Sequence, residues 1–528
     1  SVLERGAVEG EIFHRGAVQA LSDGSPVTRL LASLVRKNLI RPDKAQLAGD
    51  DAFRFRHLLI RDAAYGALSK ATRARLHERF SAWLEERGGD LVELDEILGF
   101  HLEQAARYRT ELGDPDPGLA ERAGARLADA GRRALWRVDY RAAAPLLERA
   151  LELTRPLRLD VSLELDLADA RPVPRERAAI AERAAERARE AGDRLGEALA
   201  LVVAAQARLL FADDPAVDEL ERLARAALAL LEDAEDHAGL ARVWGALGNV
   251  ANFRSRYEER TQASEQALRH LRLAGRHHLG LAALHLGLVL GPRPADEALR
   301  TLDSVLPENP GPGALLARAR LLAMLARFDE AWALARPAAE RARELGGLQP
   351  GELSQGDADL GEIAALAGDH ATAAAYLRRE CDRYQRGGDR AHLSTYAPLL
   401  GRSLCALGRH DEAEPLAQLG RELGGEQGIV TQMLWRQVQA RVHAHRGEHA
   451  EAERLAREVE AIAERTDDLN RHGDALCDLA EVLAAAGRTD KAAETLEQAL
   501  ERYERKQNLA MAAQVRDRLA KLQDAAPR

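Results

Sequence analysis

Cysteine and aromatic residues are scarce in this chain. Its three cysteines, Cys381, Cys405 and Cys477, lie far apart in 528 residues. That excludes a disulfide framework and fits a reduced, cytoplasmic setting with the thiols as small core residues. Aromatics make up only 4% of the chain, which argues against a β-rich core. The longest apolar run, Ala198 to Ala205, is too short to cross a bilayer, and no signal peptide is visible. No GxxxxGK[ST] loop occurs, and Gly is never followed by Lys. The chain therefore lacks the backbone cradle and lysine that hold ATP phosphates. HExxH, CxxC and GxSxG are missing as well, so the chain is read as non-enzymatic, with no catalytic residue, metal or cofactor of its own. His277, His278 and His285, and the pair His445 and His449, are read as ordinary exposed or half-buried histidines rather than metal ligands.

What is abundant is alanine, leucine and charge. Charged residues reach 30%, with signs interleaved as on the solvated faces of amphipathic helices. The net charge of −10 gives no general attraction to nucleic acid or anionic membrane. The segment from Arg29 to Arg79 is an exception, with 12 Lys plus Arg against 5 Asp plus Glu. The length exceeds a single core, so several cores or one extended stack are expected. The chain is well patterned from Ser1 onward, which raises the expectation that it was cut from something longer.

A repeat organises the second two-thirds. Helix-like runs break at Arg327-Phe328-Asp329-Glu330-Ala331, Gly368-Asp369-His370, Gly408-Arg409-His410, Gly447-Glu448-His449 and Gly487-Arg488-Thr489, with an earlier relative at Arg137-Val138-Asp139-Tyr140. The alanines that follow stand at 331, 373, 413, 452 and 492, in steps of 42, 40, 39 and 40. A period of that size implies a stacked helical solenoid. Proline and glycine clusters at Gly291 to Pro294, Pro307 to Gly313 and Gly346 to Gly356 interrupt it as loops.

The stretch Trp244-Gly245-Ala246-Leu247-Gly248, continuing to Tyr257 and Ala267, resembles the tetratricopeptide repeat. So do the sets Leu127, Ala130, Gly131, Ala134, Tyr140, Ala143, Ala150 and Leu476, Leu479, Ala480, Leu483, Ala492, Leu496, Ala499. Small residues at positions 8 and 20 of that pattern let two helices cross closely. Arg260 departs from it at position 20. Weaker copies run through Gly287, Ala319, Gly361, Gly401 and Ala440. The resemblance covers residues 121–522, with 156–236 degenerate, and the longer period looks like the variant in bacterial regulators of the maltose-activator type. It implies an all-α, right-handed solenoid whose first helices line a concave face. Position 9 of those helices gives Asn249, Arg320, Glu362, Arg402, Arg441 and Glu481 as a mixed-charge groove for a peptide or protein.

The first ninety residues read differently. Val2 to Leu21 reads as one helix and Val27 to Asn38 as a second, with Ser25 and Thr28 as capping candidates. Leu39 to Pro42 and Ala52 to Arg56 suggest a β-hairpin wing. Further helices begin at His57 and Ala71. The segment Phe55-Arg56-His57-Leu58-Leu59-Ile60-Arg61-Asp62-Ala63-Ala64-Tyr65, with Arg73-Ala74-Arg75-Leu76-His77 and Leu94 to Ala105, resembles the winged-helix unit of signal-transducing ATPases with numerous domains. More narrowly it is similar to bacterial proteins that also carry a nucleotidyl-cyclase-like domain. The resemblance implies that His57, flanked by Arg54, Arg56 and Arg61, reaches the phosphates of ADP bound to an ATPase domain upstream in the same polypeptide, ATP or ADP being the cofactor of that larger protein.

The expectation is thus a winged-helix-like domain over 1–90, a helical connector over 91–120, a repeat solenoid over 121–522 and a tail over 523–528. Together they would form the sensor of a cytoplasmic signalling ATPase. The alternative is a DNA-binding regulator that reads a duplex with the winged helix. The helix from Thr28 to Asn38 offers few polar side chains for base edges, so nucleic acid is not the expected partner.

Overall fold

The computed structural model describes every residue except 23–25, 90, 138, 210–215, 233, 276–280, 309, 345–355, 426–427 and 526–528. Ser25, Val138, His277, His278 and most of the loop from Gly346 to Gly356 therefore lie outside the described residues. The chain divides into two compact units: residues 1–172 with 180–197, and residues 173–179 with 198–528. The boundary falls inside the degenerate stretch of the repeat pattern.

The first unit opens α1 (Val2–Glu9), β1 (Ile12–His14), α2 (Arg15–Leu21), α3 (Thr28–Arg36), β2 (Ile40–Asp43), β3 (Ala52–Phe55). The strands make an antiparallel sheet of order β1-β3-β2, with Phe13 opposite Phe53 and Ile40 opposite Phe55. The hairpin over 39–56 is present. The single helix expected over Val2 to Leu21 is not, because β3 pairs with residues 12–14 and pulls them out of it. Phe13 is fully buried with its ring over Gly6, where a Cβ would come within 2.9 Å. Glu9 accepts from the His14 backbone N–H at 2.9 Å and holds its Nδ1 at 2.6 Å. Thr28 begins α3 rather than capping it, and Val27, at the cap position, offers no side-chain acceptor. Helices then follow one another: α4 (Leu58–Gly66), α5 (Lys70–Arg87), α6 (Leu94–Glu111), α7 (Pro117–Trp136), α8 (Tyr140–Thr154) and α9 (Val161–Asp169). Next come α10 (Pro174–Ala191) and α11 (Arg194–Arg208), through which the unit boundary passes.

The second unit is a tetratricopeptide-like solenoid of helix pairs. After α12 (Val217–Glu232), the first helices are α13 (His237–Phe253), α15 (Leu281–Leu290), α17 (Pro312–Met324), α19 (Gly356–Leu366), α21 (Arg390–Ala406), α23 (Ile429–His445), α25 (Leu469–Ala485) and α27 (Leu509–Ala525). Between them run the second helices α14 (Tyr257–Leu273), α16 (Ala295–Val305), α18 (Phe328–Glu344), α20 (His370–Gly387), α22 (His410–Leu423), α24 (His449–Ala463) and α26 (Thr489–Lys506).

The turn chemistry explains the period. Gly368, Gly408, Gly447 and Gly487 all adopt φ between 73° and 78°, the left-handed conformation that ends a helix and costs glycine least. Ala331, Ala373, Ala413, Ala452 and Ala492 are each fully buried. A Cβ on Gly361 would meet Leu377 at 2.9 Å, and one on Gly131 would meet Leu147 at 2.7 Å, so the small residues set how closely helices cross. The departure at position 20 has a physical reason too. Arg260 is fully buried and its Nη1 donates to the Gly248 carbonyl at 3.2 Å.

Candidate functional site

The residue after the small position 8 stands where one first helix faces the next. At five of the six sites picked at position 9, the side chain meets an opposite charge on another first helix. Arg320 of α17 pairs with Glu362 of α19 and lies 3.4 Å from Asp359. Arg402 of α21 donates to Asp474 of α25 at 2.8 Å, and its Nη2 is 3.5 Å from Asp478. Arg441 of α23 donates to Glu481 at 3.1 Å and stands 3.8 Å from the other oxygen of Asp478. The Tyr503 hydroxyl donates to Asp474 at 2.7 Å. Asn249, on α13, is half-buried and is not brought into either group.

These pairs are largely withdrawn from water. The Arg320 and Arg441 side chains are each 11% exposed and that of Asp478 6%. Burial works against the charge of Arg402, but Asp474 and Asp478 more than restore it and raise the guanidinium above its ordinary range. Burial drives the Asp478 carboxyl up in spite of Arg402 and Arg441. Among the described residues each arginine still has a buried Nε–H with no acceptor, as does the Gln437 amide nitrogen on α23. Such orphan donors are costly in a protein interior, and here four of them occur on three first helices. Asp359, Asp474 and Asp478 were not picked from the sequence. The 474, 478, 481 spacing, one helical face of α25 set against arginines at 402 and 441, was the signal available.

In the first unit His57 is exposed at the N-cap of α4 and makes no capping hydrogen bond. Arg56 is exposed. Arg61 bonds Asp62 at 2.8 Å and lies 5.6 Å from the Tyr65 ring. Arg54 is not free to flank His57, because Asp43 and Glu11 hold it.

Behind this helix runs a buried relay that the sequence did not announce. Arg73 lies 3.5 Å from the Tyr108 hydroxyl, which is 3.1 Å from that of Tyr65. Tyr65 is 2.7 Å from His77 Nε2, and His77 Nδ1 is 2.8 Å from His101 Nδ1. Burial, with Arg107 and Arg73 nearby, holds His77 at about 3. Burial also takes His101 well below its ordinary value. Both rings are therefore neutral at physiological pH.

His285, expected exposed or half-buried, is instead buried, because the residues around it on α15 are almost all apolar, and burial holds it down to about 4. Burial pushes the thiols of Cys381, Cys405 and Cys477 up to about 12, 11 and 12. Among the described residues no group of three or more His, Cys, Asp or Glu is placed to hold a metal ion, and no helix is long and apolar enough to cross a membrane.

A tetratricopeptide repeat family profile matches residues 431–505, the stretch that carries Arg441 and the acidic face of α25. No curated protein matches the chain in sequence. Among solved structures, the APC/C hetero-tetramer Cut9–Hcn1 contains a chain that matches at 15% identity and a TM-score of 0.46, covering 88% of this chain and 94% of that one. A signal transduction ATPase with numerous domains, with a tetratricopeptide repeat sensor, from Pyrococcus horikoshii matches at 13% identity and a TM-score of 0.39. That match covers 98% of this chain and 65% of the other. A Rap protein complexed with competence and sporulation factor matches at 10% identity and a TM-score of 0.36, covering 76% and 98%.

Proposed function

We propose that this chain is a protein-interaction and regulatory module in which the solenoid takes up a polypeptide segment on the facing surfaces of its first helices. The observation that carries the reading is the ladder Arg320–Glu362, Arg402–Asp474–Asp478 and Arg441–Glu481. A purely structural core would fill those positions with leucine and alanine, because buried ion pairs rarely exceed hydrophobic packing in stability. Charged groups in place, with unused N–H donors beside them, suit exchange of internal partners for those of a bound segment. Site-specific photo-crosslinking from half-buried Leu399 on α21 and Ala444 on α23, each three residues from a ladder arginine on the same helix, tests this. Crosslinks to a partner that vanish in an Arg402→Gln, Arg441→Gln variant of unchanged helicity are expected; undiminished crosslinking would refute it.

The finer reading is that residues 1–90 are the winged helix of a cytoplasmic signalling ATPase, bacterial and possessing a cyclase-like domain, and pass partner binding to a nucleotide switch in the same polypeptide. Its support is the resemblance of residues 55–65 and the exposed face of α4. That helix buries none of its residues, and Leu59 is 79% exposed beside His57 and Arg56. An apolar and cationic face of this kind suits a covering domain that carries phosphate. Coupling requires that the partner bind one of two states more tightly. In a preparation of the whole protein, His57→Ala should lower retained ADP, and unchanged nucleotide occupancy would sink this part.

A further inference from the structure

The sequence cluster Gly291-Pro292-Arg293-Pro294 finds no role in the ladder, yet it marks a distinctive contact in the second unit. α15 ends at Leu290, and the two prolines that follow have no N–H to offer its last carbonyls. The missing donors come from Lys506, at the end of α26. Its Nζ donates to the carbonyls of Leu288 at 3.0 Å, Gly291 at 2.6 Å and Arg293 at 2.8 Å. These groups are 213 to 218 residues apart in sequence, and Lys506 is wholly buried. The next residue, Gln507, takes the left-handed conformation at φ 56°, a place for which side chains other than glycine pay in strain. In that position its amide oxygen accepts from the Asp296 N–H at 3.4 Å.

The neighbouring helix is held the same way. α14 has Arg256 at its N-cap, which cannot accept a hydrogen bond. Asp467, in the turn before α25, accepts from the Tyr257 and Glu258 N–H groups at 2.7 and 2.8 Å across 210 and 209 residues. A carboxylate thus sits at one helix N-terminus, matching the helix dipole, and at the neighbouring helix C-terminus the Lys506 nitrogen, lowered to about 7 by burial, donates to three carbonyls. Further contacts run along the same seam. Asn470 reaches Met324 of α17, Asn508 donates to Asn470 at 2.9 Å, and Gln514 of α27 donates to the Leu366 carbonyl at 2.9 Å.

Other candidates carry less. The relay of Tyr65, His77 and His101 is closed within the first unit, and the acidic face of α25 is already paired.

We infer that Asp467 and Lys506 latch α14 and α15 to the last repeats, that this closes the second unit across the facing surfaces of its first helices, and that the latch must release before a polypeptide reaches the arginine ladder. The inference rests on the proposed binding role of that ladder, which supplies the reason for opening. It predicts a protein that binds slowly and less tightly than its open form, because only the open fraction is competent.

Two native thiols report the opening without any partner. Cys405 on α21 and Cys477 on α25 are buried beside the ladder, and Cys381 lies on the second helix α20. Labelling of each by a maleimide in the complete chain should be followed in Lys506→Met and Asp467→Ala. The expected result is a rise of about tenfold or more for Cys405 and Cys477 in both variants, with Cys381 unchanged. Unchanged rates at all three thiols would overturn the latch. A parallel rise at all three in both variants would overturn it too, since the contacts would then hold the repeats together rather than gate them. Because no partner is added, a failed latch and a failed binding site give separate answers.

Discussion

Lowering the pH from 7 to 5 should loosen α5 and α6 through the His77–His101 pair. Both imidazoles are buried and neutral, with ordinary values depressed in the fold. The unfolded chain binds protons at these two groups below about pH 6.5 while the folded chain does not. Stability from them is therefore present above that pH and lost as the pH falls toward the folded value of His77, about 3. At pH 5 the protonation of one free histidine favours the unfolded state by about 2 kcal/mol, so the pair costs about 4 kcal/mol. The nearby pair Glu9 and His14 acts in the opposite sense. Burial raises Glu9, and Glu9 outweighs burial to raise His14, so their contribution grows as the pH falls. The diagnostic is therefore a difference between variants. His101→Asn keeps an acceptor for His77 Nδ1 and removes one titrating ring. Opening free energies of α5 and α6, from deuterium exchange corrected for intrinsic rates, should fall between pH 7 and 5 by about 2 kcal/mol less in the variant. Equal slopes would show that His101 is not kept neutral by burial, and the account of the relay would fail.

Other outcomes follow from the packing and the ladder. Asp478→Ala strips both buried guanidiniums of a shared partner and should cost about 3–5 kcal/mol in urea unfolding; combining it with Arg441→Met should recover part of that loss, and strict additivity would deny the coupling. Gly131→Ala places a Cβ 2.7 Å from Leu147 and should destabilise the first unit by about 1–3 kcal/mol, whereas Gly245→Ala, with nothing within 4 Å, should be neutral or stabilising by thermal melting. Phe13→Ala should cost about 3–5 kcal/mol and release residues 12–14 from β3, read as lost amide protection there.

The repeat architecture was legible because its information is local. A left-handed residue, glycine at four of the five turns and Ala326 at the other, recurs with an alanine five residues later inside one helical hairpin, and the buried alanines at 331, 373, 413, 452 and 492 follow from that pattern. Position 9 was legible for the same reason, since the small residue before it fixes which side of the helix faces the next. The acidic partners were harder to pick, because Asp474 and Asp478 look like any solvated helical pair until α25 is set beside α21 and α23.

By itself the sequence determined the helical class, the turns, the spacing of the small residues and five of the side chains in the ladder. Tertiary structure alone decided that residues 12–14 leave a helix for a strand, that Arg260 is buried on the Gly248 carbonyl, and that Lys506 closes α15. Periodicity records what a residue meets within a few helical turns. Which segments 200 residues apart come together depends on the accumulated twist of the stack, and there long-range hydrogen bonds override the local preference.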